Sequence, residues 1–392
     1  MKVWRWIFYL VLLIFPFGQL ASFYSPFKEF FFRVHLLDIA GLCFVLYWLV
    51  FVKKFNSPFF FRPLAVFGVI ASISLAVKAL FLPFGELVLP FFYLLRLYCW
   101  ILFFWAMTDF IKKEKIDLIN LLVLEGLAVS AISLLQYLFL PDTRFLFYAD
   151  WDDHFFRAIG AFLDPSFNGL ILVLAFILCL KKYFGIRQGN KNFYLFFLLL
   201  IGITVGLSFS RMSYLILIIS FFIILMFKKK YKLLFPFLFF FVLIIFLIPK
   251  QPGEGVDLLR KSTSFAKIAN YRQVLLISKD NLLLGVGYNL LRNEFFKRGF
   301  LAKENWQTSH AGAGADNSFL FVLATTGIFG LLSYLYFWLE IIKRTLKEKE
   351  IFFLSAIVSL LVSAFFVNCL FYPWILFWWG TILADFTAEI EA

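Results

Sequence analysis

Apolar residues run along this chain in long blocks, without the alternation of a half-buried strand or the three-to-four spacing of a surface helix. A helix that crosses a bilayer takes about 20 mostly apolar residues. The blocks predict about twelve such spans, at 4–21, 36–52, 63–83, 87–109, 118–140, 159–180, 193–209, 211–227, 233–249, 317–341, 351–369 and 372–388. Two boundaries decide the count. Ser208 to Arg211 and Asn368 to Pro373 each divide an apolar run too long for one helix. One long polar segment, Lys250 to Asp316, interrupts the series. The pattern predicts an all-α polytopic membrane protein in three parts: residues 1–249 with nine spans, a loop domain at 250–316, and residues 317–392 with three more.

Composition agrees. Hydrophobic residues make up 63% of the chain, against roughly 45–50% in soluble domains. Charge then sets the orientation, because short loops rich in Lys and Arg stay cytoplasmic. The clusters are Lys2/Arg5, Lys53/Lys54/Arg62, Lys112/Lys113/Lys115, Lys181/Lys182/Arg187/Lys191, Lys228/Lys229/Lys230/Lys232 and Lys343/Arg344/Lys347/Lys349. With twelve spans and a cytoplasmic N-terminus, all fall on one side, and both termini are cytoplasmic. The loop 141–158, holding Asp142, Asp150, Asp152 and Asp153, and the segment 250–316 then lie outside, as do His35 and His154. The first span follows basic residues as a signal peptide does, but no small-x-small cleavage site follows it, so it is read as retained.

The net charge of +13 does not point to nucleic acid. The flanking clusters account for most of it, and they orient the chain and touch anionic head groups. Cys43, Cys99, Cys179 and Cys369 all fall in predicted spans, without metal-ligand spacing, so neither a disulfide nor a zinc site is expected. No nucleotide-binding motif is present, which argues against an ATP-driven pump. The outer segment carries Arg260, Lys261, Lys267, Arg272, Lys279, Arg292, Lys297, Arg298, Lys303 and His310. Such a cationic surface above a membrane body suits an anionic substrate held at that surface.

Certain residues carry candidate chemistry. Ser210-Arg211 sits at the turn between two apolar helices, where a guanidinium either snorkels to head groups or faces a wet cavity. The run Arg157-Ala-Ile-Gly-Ala-Phe-Leu-Asp164-Pro165-Ser-Phe-Asn168 places polar groups where a plain span is apolar; Asp164-Pro165 halts or caps a helix. Arg272 lies in an amphipathic-looking helix whose bland reading is a solvated face. Asp316-Asn317 directly precede a span, so Asp316 is either its N-cap or a functional carboxylate. Lys78 and Arg96 fall inside spans, with Glu86, Glu125 or backbone groups as candidate partners.

In order and spacing, these pieces resemble the O-antigen ligase and O-antigen polymerase family of bacterial membrane glycosyltransferases. The Arg157–Asn168 run resembles one family segment and Ser210-Arg211 another. Tyr271-Arg272, Leu284-Gly-Val-Gly287, Asn317-Ser-Phe-Leu320 and Thr326-Gly-Ile-Phe-Gly330 resemble its loop and following span. The resemblance implies transfer of oligosaccharide from an undecaprenyl diphosphate carrier to a glycan or lipid A core acceptor, in the bacterial inner membrane, without metal or other cofactor. It implies that Arg211 and Arg272 bind the diphosphate, with Arg157, Asp164, Asn168, Ser210 and Asn317 as substrate-binding candidates. Ligases of this family usually carry His before the loop-end Asn; here Asp316 stands there, and His310 lies six residues upstream. That departure tilts the expectation towards a polymerase and leaves Asp316 and His310 as rival bases. The alternatives are a ligase acting on lipid A core, a protein O-oligosaccharyltransferase, and, in another class, a transporter or flippase of a lipid-linked anion. A transporter predicts inverted repeats, whereas the one large loop is asymmetrically placed.

Overall fold

A computed structural model describes residues 2–24, 33–52, 55–114, 116–149, 151–186, 191–247, 253–301, 306 and 314–391. His310 lies outside these described residues, as do Asp150, Lys303 and the cluster members Lys53, Lys54, Lys115 and Arg187. The described chain is all-α apart from one small hairpin. Its helices are α1 (Lys2–Ile14), α2 (Leu36–Phe51), α3 (Phe61–Ala79), α4 (Phe84–Glu114), α5 (Leu118–Phe139), α6 (Pro165–Gly185), α7 (Lys191–Leu207), α8 (Arg211–Phe227), α9 (Leu234–Leu247), α10 (Ser262–Asp280), α11 (Leu291–Lys297), α12 (Ser318–Glu348), α13 (Ile351–Ala364) and α14 (Pro373–Ile390). The strands β1 (Ser22–Tyr24) and β2 (Arg33–His35) pair antiparallel with Ser22 opposite His35; the hydropathy pattern did not anticipate them.

Every predicted span has a helix, and the two breaks stand where expected. Among the described residues, six helical stretches, Lys2–Leu20, α3, α4, α5, α6 and α12, are long and apolar enough to cross a membrane by themselves. The chain is a polytopic α-helical membrane protein. Boundaries shift for local reasons. α1 ends at Ile14 and passes into a 3₁₀ turn, Phe15–Leu20, which contains Pro16 and Gly18. The expected span at 159–180 starts six residues later, because Asp164 caps a helix that Pro165 opens; Pro suits that first position, where its missing N–H is no loss.

α6 runs through the centre. Every residue from Asn168 to Leu180 is buried, and a helix apolar all round belongs in a core. α5, α7, α8 and α13 surround it. The charges sort to the two ends of the bundle. At one end Lys112 meets Glu391 at 3.0 Å, Lys182 meets Asp117 at 2.7 Å and Lys181 meets Glu389 at 3.7 Å. Arg5 pairs there with Glu114. The intramembrane charges find partners other than those expected: Arg96 pairs with Asp38 at 2.9 Å and Lys78 donates to Asn281 Oδ1 at 3.1 Å. Both partners come from segments remote in sequence, which local spacing does not reveal.

α12 is broken at Gly327 (φ 69°, ψ −167°), and the segment after α10 fills the gap. Ile328 N donates to Leu282 O and Val286 N to Ala324 O, both at 2.8 Å. A Cβ on Gly327 would sit 2.1 Å from Leu283 O, and one on Gly285 would sit 2.4 Å from the Thr325 carbonyl carbon. Glycine is required at both because two backbones touch. The Leu284–Gly287 and Thr326–Gly330 motifs, some forty residues apart, therefore form one joint.

Candidate functional site

At the end opposite the Lys112–Glu391 and Lys182–Asp117 pairs, the helix termini surround a cavity of about 1930 Å³. Its wall includes Arg157, Asp164, Ser210, Arg211, Lys267 and Asp316.

Arg211 begins α8, and Ser210 caps that helix by accepting from Ser213 N at 3.4 Å. The Arg211 guanidinium donates to Arg260 O at 3.0 Å, Thr263 Oγ1 at 2.6 Å and Ser264 Oγ at 3.3 Å. It is thus held in a fixed pose between the α7–α8 turn and the start of α10. Arg157 holds the turn itself. Its Nε donates to Ser208 O at 3.0 Å and its Nη2 to Phe209 O at 3.2 Å. These carbonyls follow the C-terminus of α7, where a cation is favoured. Burial, with Arg260 nearby, pushes Arg157 down to about 10; it stays charged at neutral pH.

Asp164 accepts from Ser166 N at 2.6 Å and Phe167 N at 2.9 Å as the α6 cap, and it also lines the cavity. Asn168 is fully buried behind it, donating to Ala158 O and accepting from Ser133 Oγ, both at 3.1 Å. It braces the loop and is not among the lining residues.

The cap of α12 is Asn317, whose Oδ1 accepts from Phe319 N at 2.8 Å and Leu320 N at 3.0 Å. Asp316 is therefore not the N-cap, and its carboxylate is free for other work. Asn270 on α10 fixes its backbone by accepting from Asp316 N at 2.9 Å. The Asp316 side chain is 45% exposed to the cavity and stands 3.9 Å from Lys267 Nζ. Burial raises its pKa above the usual carboxylate value, against the pull of Lys267 and with some help from Asp164. Asp152 is raised too, by burial first and then by Asp164, Asp316 and Asp153.

α10 presents Thr263, Ser264, Lys267, Ile268 and Tyr271 to the cavity. Arg272 is not among them. It is exposed, on the other side of the helix from buried Val274 and Ile277.

Several cavity residues were given no individual role by sequence reasoning. Arg260 is buried, donating to Gly255 O and Asp257 O at 2.8 Å each. Lys267 also donates to Phe366 O at 2.5 Å. His35 and His154 both line the cavity, and burial plus Arg157 pushes His154 down to about 4, so its imidazole is neutral. The only signal for these residues was membership in the outer loops. Among the described residues, no three His, Cys, Asp or Glu side chains are placed to hold a metal ion.

A large cavity lined by fixed cations and carboxylates is thus set into one end of a membrane bundle. Residues 195–335 match the family model for O-antigen ligase. The matched stretch runs from α7 into α12 and includes the Ser210-Arg211 turn, α10 and both halves of the Gly285–Gly327 joint. It supports the resemblance to the O-antigen ligase and polymerase family, and with it a membrane enzyme of glycan transfer. No curated protein matches the chain.

Proposed function

We propose that this chain is a metal-independent glycosyltransferase that moves oligosaccharide from an undecaprenyl diphosphate carrier to an acceptor hydroxyl at the periplasmic face of the bacterial inner membrane. Both termini are then cytoplasmic. The observation that carries this reading is the pairing of a preorganised arginine, Arg211, with a cavity-facing carboxylate, Asp316, in one large cavity.

The chemistry follows from charge. The acceptor oxygen attacks the anomeric carbon, the bond from that carbon to the diphosphate oxygen breaks, and the acceptor proton passes to Asp316. Negative charge grows on the departing diphosphate. Arg211 meets it with a permanent charge and the N–H groups its anchors leave free, and its three anchoring bonds mean little reorganisation is needed. Lys267 adds positive charge beside Asp316. A raised carboxylate pKa makes Asp316 a better base than an ordinary Asp. The cations supply what a divalent metal supplies elsewhere, so activity should persist in excess EDTA.

Asp at the position where ligases carry His favours a polymerase over transfer to lipid A core. The test is incubation of purified protein with lipid-linked oligosaccharide, with and without a lipid A core acceptor. A product ladder from donor alone supports polymerisation. Product only with core supports the ligase reading, and no product in either case refutes glycan transfer from this donor.

A further inference from the structure

The cavity is larger than a diphosphate and one reacting sugar require. Its volume of about 1930 Å³ exceeds that of ordinary small-molecule pockets, roughly 300–1,000 Å³. Arg211 and Lys267 stand on α8 and α10, with Asp316 just before α12. Other helices build a second wall. Along α4, Glu86, Tyr93, Arg96 and Trp100 all line the cavity, and their helical spacing keeps them on one face. From Gly85 to Trp100 that face is about 22 Å long at ~1.5 Å per residue. α4 has 31 residues, or about 46 Å, against about 30 Å of hydrocarbon. Lys112 and Lys113 mark its other end, so the turns around Glu86 stand above the lipid. α11 packs there: Asn293 Nδ2 donates to Glu86 Oε2 at 3.2 Å, and Lys297 Nζ lies 3.4 Å from the same oxygen.

The chemistry of this wall differs from that around Arg211. Arg211 is held by a carbonyl and two hydroxyls, all neutral. Here two cations stand on carboxylates. Lys297 pairs with Glu86, and Arg96 Nε donates to Asp38 Oδ1 at 2.9 Å, with Trp100 Nε1 on the same oxygen at 3.0 Å. Arg292 adds one further positive charge. Aromatic rings lie between these pairs. The Arg96 guanidinium sits 5.6 Å from the centre of the Tyr93 ring. Phe296 of α11 stacks on Trp306 with ring centres 4.4 Å apart and planes 15° apart, and both line the cavity. A phosphate would have to draw Arg96 or Lys297 away from its carboxylate. A sugar does not. Its hydroxyls both donate and accept, so they bridge a cation and its carboxylate, and the C–H face of a pyranose lies flat on an aromatic ring. Rings with a few oriented polar groups are what a specific small-molecule site needs.

We propose that the α4–α11 wall is a carbohydrate subsite that takes uncharged pyranose units, in the same cavity as Arg211 and Asp316 but on different helices. Tyr93 and Phe296 supply ring faces; Glu86 and Asn293 supply hydroxyl contacts. That the sugars belong to a transferred glycan rests on the proposed reaction. They come either from the acceptor chain or from the oligosaccharide still attached to the lipid diphosphate. Recognition at this wall is independent of the diphosphate, so it selects the glycan without weakening the charge contacts at Arg211.

Binding to the full chain in nanodiscs tests this, with two probes. One is the oligosaccharide released from its lipid carrier by mild acid, free of phosphate; the other is sugar-free polyprenyl diphosphate. Thermophoresis should show saturable binding of the free oligosaccharide to wild type. Tyr93→Leu and Phe296→Ala should each weaken it about fivefold or more, the scale of a lost aromatic contact, while Tyr93→Phe keeps the ring and the affinity. The polyprenyl diphosphate should bind both ring variants as it binds wild type, and Arg211→Ala should show the reverse pattern. Should thermal unfolding show either ring variant to be misfolded, Asn293→Ala takes its place and should weaken oligosaccharide binding. No saturable binding to wild type, or unchanged oligosaccharide affinity in the folded wall variants, overturns the subsite. Competition separates the two sources. Intact lipid-linked oligosaccharide displaces the free glycan if the wall holds the donor's own chain, and leaves it bound if the wall holds the acceptor. None of these readouts needs turnover, so glycan bound at this wall without transfer sinks the reaction and not the subsite.

Discussion

Arg211→Ala removes the guanidinium from the cavity wall. Three of its five N–H groups are committed to Arg260 O, Thr263 Oγ1 and Ser264 Oγ, which leaves the rest for a diphosphate. Loss of one preorganised donor to developing charge costs about 10²–10³ in kcat, or about 3–4 kcal/mol. The same change removes three hydrogen bonds to α10, each contributing about 1 kcal/mol. A control must separate the two effects. Thr263→Val loses one anchor and no charge, so it should slow transfer by less than about tenfold. Arg211→Lys keeps the charge and loses the fork, and should fall between Thr263→Val and Arg211→Ala. The assay is initial-rate elongation of lipid-linked oligosaccharide in detergent or nanodiscs, with insertion checked by thermal unfolding. Arg211→Ala turning over within threefold of wild type, or Thr263→Val as slow as Arg211→Ala, refutes the clamp.

Other outcomes follow from the same structure. Because burial raises Asp316 and the base works deprotonated, kcat/KM should climb with pH through a window above the ordinary carboxylate value of 3.8; Asp316→Asn should lose roughly 10²–10⁴-fold, the contribution of a base, and lose that limb, while the Asn317 cap keeps α12 intact. Retained activity in Asp316→Asn returns the role to His310 or His154. Gly327→Val places a side chain against Leu283 O and should lower the unfolding temperature measurably, whereas Gly85→Ala, with open space around it, should not. For orientation, a cysteine at Ser262 should react with an impermeant thiol reagent from outside and one at Lys229 should not; the reverse pattern overturns the topology.

The sequence by itself determined the membrane body. Span length and the terminal charge clusters are local properties, and they predicted the breaks at Ser208–Arg211 and Asn368–Pro373 that separate α7 from α8 and α13 from α14. It also singled out Arg157, Asp164, Arg211 and Asp316, because a polar group at the edge of an apolar block is costly without a reason. Their tasks were decided only by tertiary structure. Arg157 caps carbonyls about fifty residues away, and Asn168 spends its amide on the loop behind the cavity. Asp316 is released because Asn317 takes the cap, a choice made by backbone geometry at one residue's distance. Arg272 faces away from the cavity because Val274 and Ile277 fix the rotation of α10. Helical phase is set by which face finds a core, and the core that α10 finds lies on α12, with the chain after it seated between the two halves of that broken helix.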